Sequence, residues 1–114
     1  MTMIARNLSA VLNTLPEGVQ LVAVSKFHPI EALQQAYDAG QRLFGESRVQ
    51  ELTEKRRHLP ADIRWHFIGH LQTNKVRQLI DKVDMIESVD SDRLLRLIDK
   101  ESAAAGVVTA VLLQ

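Results

Sequence analysis

The side chain with the clearest chemical potential is Lys26, which closes a short apolar run over residues 21–26. Such a run predicts a strand buried on both faces, with the amine at its carboxyl end. Partial burial favours the neutral form of an amine, and a neutral amine can attack an aldehyde to form a Schiff base. The alternative is that Lys26 keeps its charge in water and pairs with a neighbour such as Glu46.

Further polar side chains follow the other predicted strands. Ligands of parallel α/β folds gather at the carboxyl ends of strands. The residues at these positions are His28, Glu46, Ser47, His66, Gly69, His70, Ser88 and Asp90. His66 and His70 have the H-x-x-x-H spacing of a helical metal site, but Gly69 and the strand pattern separate the two rings. We therefore expect one half-buried strand histidine, one loop histidine and no metal.

Two further features have alternative interpretations. Asn74, Lys75 and Arg77 cluster at the start of the helix predicted after the third strand. Such a cluster binds phosphate through free amides or, more often, forms a solvated face. Trp65 is expected to pack in the core.

Strand and helix patterns alternate along the whole chain. Apolar runs predict five strands, at residues 21–26, 42–45, 63–68, 83–89 and 107–113. An amphipathic helix precedes the first strand, and the others are joined by helices with expected caps at Ser47, Thr73, Asp90 or Ser91, and Gly106. This alternation predicts parallel strands with right-handed crossovers. The apolar first and fifth strands indicate a sheet covered on both faces.

The alternation fits an open doubly wound sheet or a (β/α)8 TIM-type barrel. No Gly-x-Gly-x-x-Gly follows the first strand, so dinucleotide binding has no support. A closed barrel needs roughly 250 residues, whereas this chain has 114. About five strands of an incomplete barrel, with two unpaired edges, would therefore be present.

Composition excludes several function classes. The chain has 14 basic and 14 acidic side chains and a formal net charge of +0, so it lacks the excess of cations that nucleic acids and anionic membranes attract. Without cysteine, it has no disulfide framework, thiolate site or thiol nucleophile. The N-terminal segment matches neither a signal peptide nor a membrane span, and a cytoplasmic location is expected.

Three motifs together carry a resemblance to a known family. AVSK at residues 23–26, AGQRLFGE at 39–46 followed by VQE at 49–51, and WHFIGHLQTNK at 65–75 occur in this order. In this combination the chain resembles the pyridoxal phosphate homeostasis protein family. The resemblance implies a barrel like the N-terminal domain of alanine racemase, with pyridoxal 5'-phosphate at the mouth.

The resemblance also implies roles for individual residues. Lys26 matches the lysine that holds the cofactor as a Schiff base, the internal aldimine. Ser47 stands where many members have an asparagine near the cofactor ring, and His66 is a further candidate contact at the mouth. No catalytic residue is assigned, because the family is regarded as a carrier or regulator of the cofactor.

We therefore expect residues 1–114 to be the N-terminal portion of a single pyridoxal phosphate-binding barrel that serves intracellular vitamin B6 homeostasis. Pyridoxal phosphate and apo forms of enzymes that use it are the expected partners. An incomplete barrel exposes apolar surface and strand edges, which favour self-association. The alternatives are an enzyme of the alanine racemase type and a non-catalytic interaction module.

Overall fold

A computed structural model describes residues 2–113 and confirms the alternation of helices and strands. The strands are β1 (Ala23–Val24), β2 (Leu43–Glu46), β3 (Arg64–Phe67), β4 (Met85–Val89) and β5 (Ala110–Leu113). The helices are α1 (Met3–Leu12), α2 (Ile30–Asp38), α3 (Val49–His58), α4 (Val76–Leu79, after a 3-10 turn at Thr73–Lys75) and α5 (Asp92–Ala105).

All neighbouring strands are parallel, and their order in the sheet is β1-β2-β3-β4-β5. This order decides between the two predicted architectures, because a doubly wound sheet reverses direction at a switch point and a barrel does not. Right-handed crossovers between successive neighbours place the helices on one face of the sheet. The expected incomplete barrel of about five strands is confirmed.

The core lies between the sheet and its helices. Phe44 of β2 is in register with Trp65 of β3, and their rings lie 5.9 Å apart at 40°. One step along the strands, Phe67 is aligned with Ile86 of β4. All four side chains are at most 2% exposed, which confirms Trp65 as a core residue.

The other face of the sheet is open, so the prediction of a sheet covered on both faces is wrong for the described residues. Val24 of β1 is 52% exposed and Leu112 of β5 is 48% exposed. The apolar runs suggested two buried faces, but sequential crossovers leave every described helix on the same side. This open face corresponds to the interior of a barrel.

Helix ends follow the predicted pattern at α5 and depart from it at the starts of α3 and α4. Ser91 Oγ accepts a hydrogen bond from the Leu94 amide, and Gly106 ends the helix in the left-handed conformation. The Ser47 cap is wrong: Arg48 takes the N-cap position of α3 without a side-chain cap, because Ser47 lies one residue too early. Thr73 lies within the 3-10 turn and does not cap α4. No helix within residues 2–113 has the length and apolar character to cross a membrane.

Candidate functional site

Lys26 lies in a tight turn at the carboxyl end of β1, which we call the Lys26 turn (residues 25–28). The His28 amide donates to the Ser25 carbonyl oxygen at 3.1 Å and closes the turn. Phe27, at the third position, has φ +64°, the only positive φ of a non-glycine residue in the described part of the chain. A single positive φ there is characteristic of a type II turn.

The Lys26 side chain is exposed, so the predicted burial of this residue is wrong. The cause is the short β1 strand, which ends at Val24 at the border of the open face. The predicted location at a strand's carboxyl end is confirmed. Lys26 therefore offers an accessible amine at the edge where ligands of this architecture bind.

Beneath the Lys26 turn lies a buried polar cluster. Glu46, at the end of β2, is 0% exposed, and its Oε2 accepts a hydrogen bond from the Ser25 hydroxyl. Lys55 Nζ of α3 lies 3.0 Å from the same Oε2 and donates to the Ser25 carbonyl oxygen at 2.7 Å. The alternative pairing of Lys26 with Glu46 is thus wrong, because Lys55 occupies that position.

Glu51 extends this cluster to the turn backbone. Its two carboxylate oxygens lie 3.1 and 3.3 Å from the Phe27 amide nitrogen, which donates to them. Glu51 Oε2 is also 3.6 Å from Lys55 Nζ. We call Glu46, Glu51 and Lys55 the turn brace.

The pKa values of the two carboxyl groups of the turn brace, Glu46 and Glu51, are shifted in opposite directions. Burial raises the pKa of Glu46, against the lowering effects of the Ser25 hydrogen bond and of Lys55. Burial also acts to raise the pKa of Glu51, but the hydrogen bond from the Phe27 amide and the charge of Lys55 lower it on balance.

His66 of β3 lies on the open face. It is in register with Gly45, which in turn is aligned with Val24. A Cβ atom on Gly45 would come within 3.2 Å of Ile68 and Val22 side-chain carbons, so these two side chains fill the space beside the glycine. The half-buried His66, predicted as such, therefore stands on the same surface as the end of β1.

His66 has an acidic partner from the next strand. Its Nδ1 lies 2.9 Å from Glu87 Oε2, and the two side chains are 15% and 29% exposed. The exposed His70 lies 3.8 Å from Asp90 and forms a separate pair. Within residues 2–113 no three or more His, Asp or Glu side chains gather in a geometry that would bind a metal ion.

Ser47 borders a cleft of about 270 Å³ between the loops after β2 and β3. Other residues that line this cleft are Gln50, His70, Gln72 and Lys75. Of the predicted basic cluster, only Lys75 lines the cleft, since Asn74 is exposed and Arg77 pairs with Glu101 at 3.3 Å. Asn74 and Arg77 therefore agree with the favoured interpretation of a solvated face, and the alternative of a shared phosphate ligand is not supported.

The residues present fit an aldehyde-bearing ligand. An accessible amine stands at the carboxyl end of β1, and an open strand face carries a histidine–carboxylate pair. A covalent bond to an aldehyde needs an accessible amine, and a ligand ring needs free surface beside it. Both requirements are met on the same side of the sheet.

Comparison with known proteins identifies the family of this chain. The sequence pattern of the family described as alanine racemase, N-terminal domain, matches residues 1–114. This chain belongs to that family.

Relatives within the alanine racemase N-terminal domain family confirm the resemblance predicted from the motifs. The pyridoxal phosphate homeostasis protein of Schizosaccharomyces pombe is 43% identical over 99 residues, which cover 85% of this chain and 42% of the relative. That of Escherichia coli K12 is 44% identical over 93 residues, 77% of this chain and 40% of the relative. The chain thus spans about two fifths of the length of these relatives.

Solved structures with the same fold are also found. PipY of Synechococcus elongatus, solved with pyridoxal phosphate bound, is 44% identical with a TM-score of 0.92 over 96% of this chain and 52% of its own. Alanine racemase from E. faecalis is 21% identical with a TM-score of 0.72 over 86% of this chain and 27% of its own, a likeness of fold alone.

Sequence reasoning missed one residue of the site, Lys55. It lies on the buried side of α3 with Val49 and Leu52, where a lysine is out of place unless it is paired. The i,i+4 spacing to Glu51 within the family motif VQE was a second signal. A charged residue on the apolar stripe of a helix thus marked the turn brace in the sequence.

Proposed function

We propose that this chain binds pyridoxal 5'-phosphate through Lys26, as part of a protein of intracellular vitamin B6 homeostasis. The observation that carries the proposal is the accessible Lys26 amine at the carboxyl end of β1, beside an open strand face. The match to PipY with pyridoxal phosphate bound, at a TM-score of 0.92, supports the choice of cofactor.

The covalent step at Lys26 balances without any further reagent. The deprotonated ε-amine adds to the aldehyde carbon, a C=N bond replaces the C=O bond, and the oxygen leaves as water. The reaction is reversible by hydrolysis, as a carrier requires. Exposure of Lys26 keeps it accessible to the aldehyde and to water.

Two further side chains are proposed to contact the cofactor. His66 stands on the open face with Glu87 2.9 Å from its Nδ1, which leaves Nε2 for a ligand. Ser47 lies half-buried after β2 and, free of the helix-capping role, has a hydroxyl available for a polar ring substituent.

The place of the chain in a larger architecture is also a proposal. We interpret residues 1–114 as the N-terminal portion of a single pyridoxal phosphate-binding barrel, since the five strands are sequential and parallel and match about half of PipY. The exposed β1 and β5 edges favour self-association. Transfer to apo-enzymes and a cytoplasmic location stay predictions, as do the racemase-type and interaction-module alternatives.

An absorbance titration tests the proposal. Pyridoxal phosphate added to the protein should give the visible band of a lysine-bound cofactor, which Lys26→Ala should abolish. Lys100→Ala, which removes another exposed lysine on α5, is the matched control and should leave the band intact. A band equally strong in Lys26→Ala would show binding elsewhere and contradict the proposal.

A further inference from the structure

The turn that presents Lys26 has a strained backbone. Phe27 adopts φ +64°, a region that side chains other than glycine and asparagine rarely occupy. Such a conformation persists only where surrounding contacts hold it. The structure must therefore contain groups that stabilise the Lys26 turn against relaxation.

Two side chains of α3 supply these contacts, one to each part of the turn. The Glu51 carboxylate accepts the Phe27 amide at 3.1 and 3.3 Å, directly at the strained residue. Lys55 Nζ donates at 2.7 Å to the Ser25 carbonyl oxygen, which also accepts the amide that closes the turn. The helix thus holds the turn from two positions four residues apart.

Glu46 of β2 anchors the side chains of Glu51 and Lys55 beneath the Lys26 turn. It is 0% exposed, accepts the Ser25 hydroxyl and lies 3.0 Å from Lys55 Nζ. Lys55 itself is buried, with a side chain 6% exposed. A buried lysine and a buried glutamate are stable only as partners, so the pair anchors the turn to both β2 and α3.

We infer that Glu51 and Lys55 are positioning residues for Lys26. From α3 they hold the Lys26 turn in its strained conformation and so fix where the amine meets its aldehyde ligand. The claim that these residues position the amine for its ligand rests on the proposed function. The claim that they stabilise the conformation of the Lys26 turn does not.

Amide hydrogen exchange without any ligand tests the hold on the turn. In Glu51→Ala the Phe27 amide should exchange at least about tenfold faster, because its charged acceptor is lost. Glu51→Gln keeps an acceptor oxygen and should recover most of the protection. Glu54→Ala is the matched control, since Glu54 lies on the same helix but pairs with Arg57 at the surface. Equal Phe27 exchange in the wild type and Glu51→Ala would overturn the inference.

A second measurement tests the effect on Lys26 and separates this inference from the proposed function. Borohydride trapping should require about tenfold more pyridoxal phosphate for half-labelling of Lys26 in Glu51→Ala, as expected for loss of one charged hydrogen bond. Faster exchange at Phe27 with an unchanged half-labelling concentration would overturn the positioning role. If wild-type Lys26 is never labelled, the proposed function fails. The exchange measurement still tests whether Glu51 stabilises the Lys26 turn.

A second substitution that relieves the backbone strain at Phe27 should rescue Lys26 labelling in Glu51→Ala. Such a rescue would show that the variant is folded and that strain caused its defect. In the Glu51→Ala background, Phe27→Gly should restore the half-labelling concentration towards wild type, because glycine adopts positive φ freely. Phe27→Ala removes the same ring and its contact with Arg48 but keeps the strain, so it should not restore it. Equal behaviour of the two double variants would contradict a strained turn held by Glu51.

Discussion

Gly69 packs directly against the backbone of Ser47, and a Cβ atom built on Gly69 would come 2.2 Å from the Ser47 carbonyl oxygen. The contact joins the loops that follow β2 and β3, at the edge of the sheet that carries the candidate site. Because the opposing atom is backbone and not a flexible side chain, only glycine allows the two loops to approach this closely.

Gly69→Ala should therefore destabilise the fold by about 1–3 kcal/mol, the usual cost of overpacking. Gly45→Ala is the control, since its new Cβ would meet only side-chain carbons at 3.2 Å, which can move. Urea unfolding followed by the fluorescence of Trp65, the single tryptophan, measures both. An equal or smaller loss for Gly69→Ala would show that the loops separate easily.

Two serines at predicted helix starts should respond differently to truncation. Ser91→Ala removes the hydrogen bond to the Leu94 amide and should cost about 1 kcal/mol of unfolding free energy. Ser47→Ala removes no cap and should change stability by less than about 0.5 kcal/mol. The same urea unfolding series measures the difference. A larger loss at Ser47 would restore the capping role that the structure denies it.

The buried Glu46 should make stability depend on pH with a definite sign. Its pKa is raised above the ordinary value of 4.5 by burial, so the folded state retains a proton that the unfolded state has lost as pH rises above that value. The contribution of Glu46 to stability is therefore present below this pH and lost on raising the pH through the folded-state pKa. Glu51, with a lowered pKa, contributes stability that is lost as pH falls below the same ordinary value.

Glu46→Gln isolates the effect of Glu46. The unfolding free energy of the wild type minus that of Glu46→Gln should fall as pH rises above about 4.5, because the amide does not ionise. A difference that grows with pH would mean that Glu46 is stabilised as the carboxylate.

Tyr37 offers a spectroscopic test of the surface next to β2. The hydrogen bond of its hydroxyl to Asp62, 2.5 Å away, raises the pKa of Tyr37 above 10.0. Asp62→Ala should bring it back towards 10.0, while Asp38→Ala, which removes a weaker charge effect, should shift it less. Because Tyr37 is the single tyrosine, tyrosinate absorbance reports it alone. An unchanged titration in Asp62→Ala would contradict the contact.

The position of Lys26 could be predicted because it depends on local pattern, an apolar run that ends in a cation. Its exposure was only the alternative interpretation, because the apolar run over residues 21–26 does not reveal that β1 already ends at Val24. The pairing of Glu46 with Lys55 depends on the packing of α3 against β2, and the sequence offered Lys26 as an equally charged partner. The Ser47 cap failed by one residue, because α3 begins at Val49 and Arg48 takes its N-cap position.

The central claim is a selective covalent site at Lys26, and borohydride reduction with peptide mapping tests it most directly. The chain has five lysines, and Lys55 is buried, so Lys75, Lys82 and Lys100 compete with Lys26 for any unspecific labelling. We predict one adduct on Lys26 at low pyridoxal phosphate concentration, absent in Lys26→Ala and unchanged in Lys100→Ala. Labelling spread evenly over Lys26, Lys75, Lys82 and Lys100, or no labelling of Lys26, would contradict the claim.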